Sequence, residues 1–331
     1  MKILIQGAQI IDKNSPHHQK ERNVVISNGR IVSVSDKSTS ADKVIKAEGM
    51  KLSIGWFDLG TFIGDPGLES SEDLASGMRA AALVGFTEIA VLPNTNPVVQ
   101  TKNEVAYLSQ GNGNRLVDVH ALAAVTRGCK GEELTEMIDL HTAGAVAFTD
   151  GNRPLWHTDI LLKYLQYVQK FNGLVIDRPE DIWLNMFGQM HEGSTSTLLG
   201  LKGMPRIAEE LVVSKNLELL GYAGGRLHFS RLSCAKSIDL IRSARKKLQA
   251  TCDIAAYQPL MDDSLVEGFD TNFKVNPPLR ERADQDAMIK GLKDGTIDII
   301  CSGHAPHDVE SKDVEFDHAA FGITNLQTFA S

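Results

Sequence analysis

Hydrophobic and polar residues follow one pattern up to about residue 52 and a different pattern beyond it. The first stretch contains short strand-like runs at residues 3–5, 10–11, 24–26, 31–34 and 43–45, separated by polar turns. Asn28-Gly29 lies between two of these runs and is a strong hairpin signal, because both residues tolerate positive φ. We predict that residues 1–52 form a small β unit.

From about residue 53, strand-like runs alternate with amphipathic helical segments. Three of these segments begin at Leu74, Leu134 and Leu161 and carry mostly apolar residues at the i, i+3, i+4 and i+7 positions. A strand followed by a helix eight times predicts an α/β protein with a (β/α)8 TIM barrel over residues 53–331. The eight strand-like runs lie at residues 54–59, 87–92, 117–123, 145–148, 174–176, 226–229, 250–254 and 297–301.

An open, doubly wound parallel sheet has the same alternation. No Gly-x-Gly-x-x-Gly follows the first strand, however, which disfavours the dinucleotide-binding form of that fold. The sequence ends at Ser331, where residues 323–329 match only the beginning of a last helix. We therefore expect that a C-terminal portion is missing from this chain, or that another element covers this edge of the barrel.

Composition narrows the class of protein. The chain has 331 residues, of which 42% are hydrophobic, enough for a large core, and its net charge is −8. This acidic balance disfavours nucleic acid and anionic membrane surfaces as partners. The four cysteines have no Cys-x-x-Cys spacing, so neither a disulfide framework nor a thiolate zinc site is indicated. No apolar stretch approaches the roughly 18 residues of a membrane span, and we expect a cytoplasmic protein.

The predicted strand ends carry longer strings, and barrel enzymes place their catalytic groups at such ends. In this order the strings resemble the dihydroorotase family of the amidohydrolase superfamily, over nearly the whole chain. They include Asp65-Pro66-Gly67, Leu92-Pro93-Asn94-Thr95-Asn96-Pro97, Phe148-Thr149-Asp150, Val275-Asn276-Pro277-Pro278-Leu279-Arg280 and His304-Ala305-Pro306-His307.

The resemblance implies a metallo-dependent hydrolase barrel that carries a small β-sandwich built from both ends of the chain. It also implies an activity in pyrimidine biosynthesis, in which zinc activates water to open the ring of dihydroorotate and produce carbamoyl aspartate. That chemistry needs neutral imidazoles, carboxylates and an aspartate that moves a proton.

Several positions that the resemblance assigns to this chemistry hold unsuitable residues. The family's first strand ends in Asp-x-His-x-His-x-Arg, and the two histidine positions are Gly60 and Phe62 here. Neither side chain can donate an electron pair to zinc. The arginine position, which grips the substrate carboxylate in the family, is Gly64.

The histidine positions of the fifth and sixth strands are Arg178 and Arg231. A guanidinium stays protonated at ordinary pH, so it cannot ligate a metal and repels a dication. The eighth-strand aspartate that moves the proton is Gly303. We therefore expect no catalytic residue and no metal cofactor.

Four residues of the family's site are retained. By the resemblance, Asp150 matches a metal-ligand carboxylate, Asn94 and Asn276 match substrate-contact asparagines, and His307 matches a substrate-contact histidine. These are too few for a mechanism whose parts act as a unit.

Asp150 without a metal needs a counter-charge. We hypothesise that Arg178 and Arg231 replace the lost metal charge and pair with this carboxylate. A rebuilt zinc site is the competing hypothesis, and it is weaker, because the available histidines are isolated or lie beside proline. Its candidate ligands are His120, His157, His228, His304 and His307.

Three functions remain open. The first is a noncatalytic dihydroorotase homologue with a structural, regulatory or assembly role, as a homodimer or with aspartate transcarbamoylase, since the family contains noncatalytic members that associate with that enzyme. The second is a dihydroorotase or related cyclic amidohydrolase with an altered site, for which zinc would be the cofactor. The third is a sensor that binds a small anionic pyrimidine intermediate through Asn94, Asn276, His307, Arg178 and Arg231.

Overall fold

The computed structural model of this protein describes residues 1–110, 112–113 and 115–329. The described chain divides into two compact units, the first ending at Trp56 and the second beginning at Phe57.

The first unit is a five-stranded sheet in the order β3-β2-β1-β4, with β5 also paired to β1. The predicted runs at residues 3–5 and 10–11 belong to one strand, β1. A bulge between Ile5 and Ala8 interrupts its pairing with β2. The hairpin prediction is confirmed, because Asn28 and Gly29 both have positive φ between the paired ends of β2 and β3. The strands are β1 (Lys2–Ile11), β2 (Glu21–Ser27), β3 (Arg30–Ser35), β4 (Lys43–Lys46) and β5 (Lys51–Ser53).

The second unit is an eight-stranded barrel, and the predicted strands agree with the observed ones to within two residues at each end. Its first and last strands approach each other where the Phe62 N–H donates to the His304 carbonyl at 3.0 Å. The strands are β6 (Trp56–Thr61), β7 (Phe86–Val91), β8 (Asp118–Ala123), β9 (Ala147–Phe148), β10 (Leu174–Asp177), β11 (Met190–His191), β12 (Gly203–Met204), β13 (Arg226–Phe229), β14 (Ala250–Ala255) and β15 (Ile299–Cys301), of which β11 and β12 form a separate ribbon.

Helices follow the barrel strands, as a (β/α)8 fold requires. One predicted helix is shorter than expected, because Leu134 lies outside it in an isolated bridge with Thr126. The predicted last helix is a single 3-10 turn, Leu326–Thr328, within the described residues. The helices are α1 (Leu74–Val84), α2 (Lys102–Ser109), α3 (Met137–Thr142), α4 (Thr158–Val168), α5 (Ser194–Leu199), α6 (Ile207–Ala223), α7 (Ala235–Ala244) and α8 (Arg282–Asp294), with further 3-10 segments at Arg127–Cys129, Gln169–Phe171, Asp263–Gly268 and Thr271–Phe273.

Two apolar layers hold the barrel together. The larger layer lies between strands and helices, and α4 contributes Leu161, Tyr164, Leu165 and Val168 to it. A smaller cluster fills the barrel interior and includes Phe62. Among the described residues, no helix combines the length and apolar character needed to cross a bilayer.

We expect Leu161→Ala to destabilise the protein by about 2–5 kcal/mol, because the side chain is 0% exposed and its removal leaves a cavity. Leu83→Ala is the matched control, since Leu83 is also helical but 82% exposed, and it should change stability by less than about 0.5 kcal/mol. Urea unfolding measures both, and equal costs would contradict this packing of α4.

Candidate functional site

A cavity of about 240 Å³ lies where the barrel strands end. Asn276 and His307 line it from the loops that follow β14 and β15. The carboxyl ends of the strands are where (β/α)8 proteins bind their ligands. The lining residues that lie within four positions of a strand end include Phe62, Asn152, Arg178, Arg231, Tyr257 and Gly303.

Asn94 and Asp150, which the sequence also places at the site, do not line this cavity. The Asn94 Nδ2 donates to the Asp150 carbonyl at 2.9 Å, and its Oδ1 accepts the Asn152 N–H at 2.8 Å. Asn94 therefore holds the loop after β9 and sets the position of Asn152.

The hypothesis that Arg178 and Arg231 pair with Asp150 is wrong. The Asp150 carboxylate instead accepts hydrogen bonds from the Thr126 N–H at 2.9 Å and from the Thr126 hydroxyl. Burial raises the pKa of this carboxyl to about 6, and in the described part of the chain it forms no ion pair. The loop after β8 therefore supplies the hydrogen-bond partner of this carboxylate.

Arg178 has a different partner. Its guanidinium forms an ion pair with the Glu180 Oε2 at 2.6 Å and donates to the Asn152 carbonyl at 2.6 Å. Glu180 also accepts from the Nδ2 groups of Asn185 and Asn276, at 3.0 and 3.3 Å. Burial pushes the pKa of Glu180 upward, but the Arg178 charge and these hydrogen bonds hold it below its usual value. The sequence reasoning missed this carboxylate, although its spacing of two residues from Arg178 was a signal.

Arg231 is buried but has no such partner. It has a left-handed backbone, with φ of 55°, and its N–H donates to the Asp253 Oδ1 at 2.6 Å. The Asp253 carboxylate is occupied by His228, whose Nε2 lies 2.8 Å away. The Arg231 guanidinium donates to the Asn152 Oδ1 at 2.9 Å, and no carboxylate of the described residues forms an ion pair with it. Burial, and then the nearby Arg178 charge, lower the pKa of Arg231.

Two glycines at the site have no room for a side chain. A Cβ on Gly64 would lie 2.0 Å from the Leu68 carbonyl oxygen. A Cβ on Gly303, where φ is 64°, would lie 2.7 Å from the Ala255 Cβ and 2.8 Å from the Tyr257 ring. The family's arginine and aspartate therefore cannot stand at these positions without movement of the surrounding chain.

The histidines do not converge on a rebuilt metal site. His120 and His304 pair with Glu88 and Glu72 at 2.7 and 2.6 Å, and the His307 Nε2 donates to a backbone carbonyl at 3.0 Å. Over residues 1–110, 112–113 and 115–329, no group of three or more His, Cys, Asp or Glu side chains is placed to hold a metal. The cavity itself offers an apolar ring and two guanidiniums, so its residues do not fit a dication.

A larger surface cavity, of about 470 Å³, lies beside α2. Two of its charged groups, Lys102 and Asp139, pair with each other at 3.0 Å. It is lined by none of the residues that the sequence assigns to the site, and we therefore regard the smaller cavity as the candidate site.

The fold resembles that of solved hydantoinases. The L-hydantoinase (dihydropyrimidinase) from Arthrobacter aurescens has a TM-score of 0.85 at 21% identity and covers 98% of this chain and 75% of its own. A D-hydantoinase has a TM-score of 0.81 at 20% identity. The protein is therefore a (β/α)8 barrel with the fold of these hydantoinases.

Sequence comparison defines the family. A family model described as dihydro-orotase-like matches residues 50–237. Proteins named dihydroorotase from Pelotomaculum thermopropionicum and Ruminiclostridium cellulolyticum are 40% and 39% identical to this chain. Each alignment covers 99% of this chain and 77% of the relative. The chain belongs to the dihydroorotase-like family.

We expect Gly303→Ala to cost about 3 kcal/mol, because the added Cβ meets both a strained backbone and two close side-chain atoms. Gly295→Ala is the matched control, since Gly295 has a similar φ of 74° but no atom within 4 Å of the added Cβ, and it should cost about 1 kcal/mol. If urea unfolding shows the same loss of stability for both variants, Ala255 and Tyr257 do not close the space around Gly303.

The buried Asp150 should make the protein less stable as pH rises from about 4 to 6. The folded protein keeps this proton up to about pH 6, whereas the unfolded chain loses it near its ordinary value of 3.8, so the folded state binds more protons in this window. Asp150→Asn should reduce the loss by about 3 kcal/mol at most. Asp177, whose pKa burial also raises to about 6, should leave a residual dependence.

Urea unfolding at several pH values measures this effect. Asp286→Asn, at an aspartate of α8 whose side chain is 63% exposed, is the control and should keep the full pH dependence. An unchanged dependence in Asp150→Asn would show that this carboxyl is ionised throughout the window.

Proposed function

We propose that this protein is a noncatalytic member of the dihydroorotase-like family, with a structural or regulatory role in cytoplasmic pyrimidine biosynthesis. One observation carries the proposal: the place where the family would hold zinc is lined by Phe62 and by the guanidiniums of Arg178 and Arg231. Both arginines are tied to Asn152, so they belong to an ordered arrangement rather than to a vacated site.

The proton-transfer groups support the same conclusion. A general base needs a pKa near the operating pH and access to the reacting water. Glu180 is held by Arg178 with a lowered pKa, which makes it a weak base. His307 donates to the Phe321 carbonyl, and burial lowers its pKa. The family's aspartate position, Gly303, is closed by Tyr257.

A second candidate is a dihydroorotase or related cyclic amidohydrolase that works through an altered site. The relatives favour it, because proteins about 40% identical over almost the whole chain are named dihydroorotase. This candidate requires zinc to be bound by a ligand set unlike the family's, since only Asp150 remains of that set and it is bonded to Thr126.

We expect purified protein supplied with zinc to show no hydrolysis of dihydroorotate and to retain less than stoichiometric zinc after dialysis. The Pelotomaculum dihydroorotase, assayed in parallel, is the positive control. A rate within about a hundredfold of that control, from protein free of host enzyme, would establish the second candidate instead.

For the assembly role we propose a homodimer or a complex with aspartate transcarbamoylase. Sedimentation velocity of this protein alone, and then mixed with the aspartate transcarbamoylase of the same organism, tests both. We expect either a dimer in the first sample or a faster boundary in the second. A monomer in both samples would remove the assembly role.

A further inference from the structure

We propose that the cavity binds a small organic carboxylate between the guanidiniums of Arg178 and Arg231. This inference rests on the proposed function, because it places an anion where a catalytic member of the family would hold a cation. The site would thus have reversed its charge preference while keeping its place in the barrel.

The charges that line the cavity do not balance. Arg178 and Arg231 contribute two positive charges, and Glu180, the ion-pair partner of Arg178, contributes one negative charge. Burial lowers the pKa of His307, which disfavours a third positive charge there. One positive charge therefore remains.

Among the described residues, no nearby carboxylate forms an ion pair with the Arg231 guanidinium. Asp150 is bonded to Thr126, and Asp253 pairs with His228. Arg178 and Arg231 are only 4% and 6% exposed, so solvent screens the excess charge weakly. A buried charge without a partner is destabilising, and an anionic ligand would remove that penalty.

The cavity also has unused hydrogen-bond donors. The Arg231 guanidinium carries five N–H groups, and its single side-chain hydrogen bond among the described residues goes to Asn152. A carboxylate has two oxygens in one plane and matches the guanidinium fork.

The shape of the cavity favours an organic anion over an inorganic one. Its volume of about 240 Å³ equals that of roughly eight water molecules. Phe62, Tyr257, Val275 and Phe321 provide apolar surface around the guanidiniums. A carboxylate with a small ring or a short aliphatic body would fill this space, whereas phosphate would leave most of it to water.

Isothermal titration calorimetry of the full chain tests the proposal with three probes: L-dihydroorotate, N-carbamoyl-L-aspartate and inorganic phosphate. We expect saturable binding of at least one carboxylate at a single site with a Kd below about 1 mM, and binding of phosphate at least about tenfold weaker. No saturable binding of either carboxylate up to about 10 mM, or phosphate binding as tightly as both, would overturn the proposal.

Charge variants locate the site. Arg231→Gln should weaken binding by about tenfold or more, and Glu180→Gln should tighten it about threefold, because the first lowers and the second raises the positive charge of the cavity. Arg282→Gln, at an α8 arginine whose side chain is 73% exposed, is the matched control and should leave the affinity unchanged. Equal affinity in folded Arg231→Gln would overturn the proposal.

Should Arg231→Gln fail to fold, Glu180→Gln and the more conservative Arg231→Lys give the same decision through the sign of their effects. Binding unaffected by both would overturn the carboxylate site. The two proposals also fail separately. Hydrolysis of bound dihydroorotate would refute the noncatalytic role and leave the carboxylate site standing, whereas absence of binding would refute only the carboxylate site.

Discussion

Two buried guanidiniums share one loop residue, and the arrangement of the candidate site depends on that contact. The Asn152 carbonyl accepts from Arg178 and its side-chain oxygen accepts from Arg231, which brings two like charges close together in a poorly solvated place. Such an arrangement persists only if the surrounding structure holds it. Glu180 neutralises one guanidinium, and Asn94 fixes the loop that carries Asn152.

The end of the barrel at the candidate site is also closely packed. At Gly64 and Gly303 the neighbouring chain occupies the space that a side chain would need, and Tyr257 packs against Gly303. Phe62 extends the apolar cluster of the barrel interior up to the cavity. Close packing makes these changes interdependent, because restoring one family residue would require its neighbours to shift. This explains how a barrel of the family's shape can hold a site of different chemistry.

Much of the fold could be predicted from the local pattern. The eight barrel strands and the Asn28-Gly29 hairpin follow from hydrophobic periodicity and turn chemistry, which act between residues close in sequence. The prediction failed where a backbone pairing overrode the pattern, as at Leu134, which pairs with Thr126 eight residues earlier instead of beginning a helix. The unsuitability of Phe62 as a metal ligand could also be read directly from the sequence, because the inability of phenylalanine to bind a metal does not depend on geometry.

The sequence by itself determined the barrel and the family, since both depend on residue type and local order. Only the tertiary structure decided which partners Asp150, Arg178 and Arg231 have. Asp150, Arg178 and Arg231 follow three different strands, so their partners depend on how the loops meet after the barrel forms. Thr126 donates a hydrogen bond to Asp150. Glu180, two residues beyond Arg178 in the same loop, forms the ion pair with Arg178. The Arg231 guanidinium bonds to Asn152 rather than to a carboxylate. Its partner depends on which loops meet at the end of the barrel, and sequence spacing does not encode that.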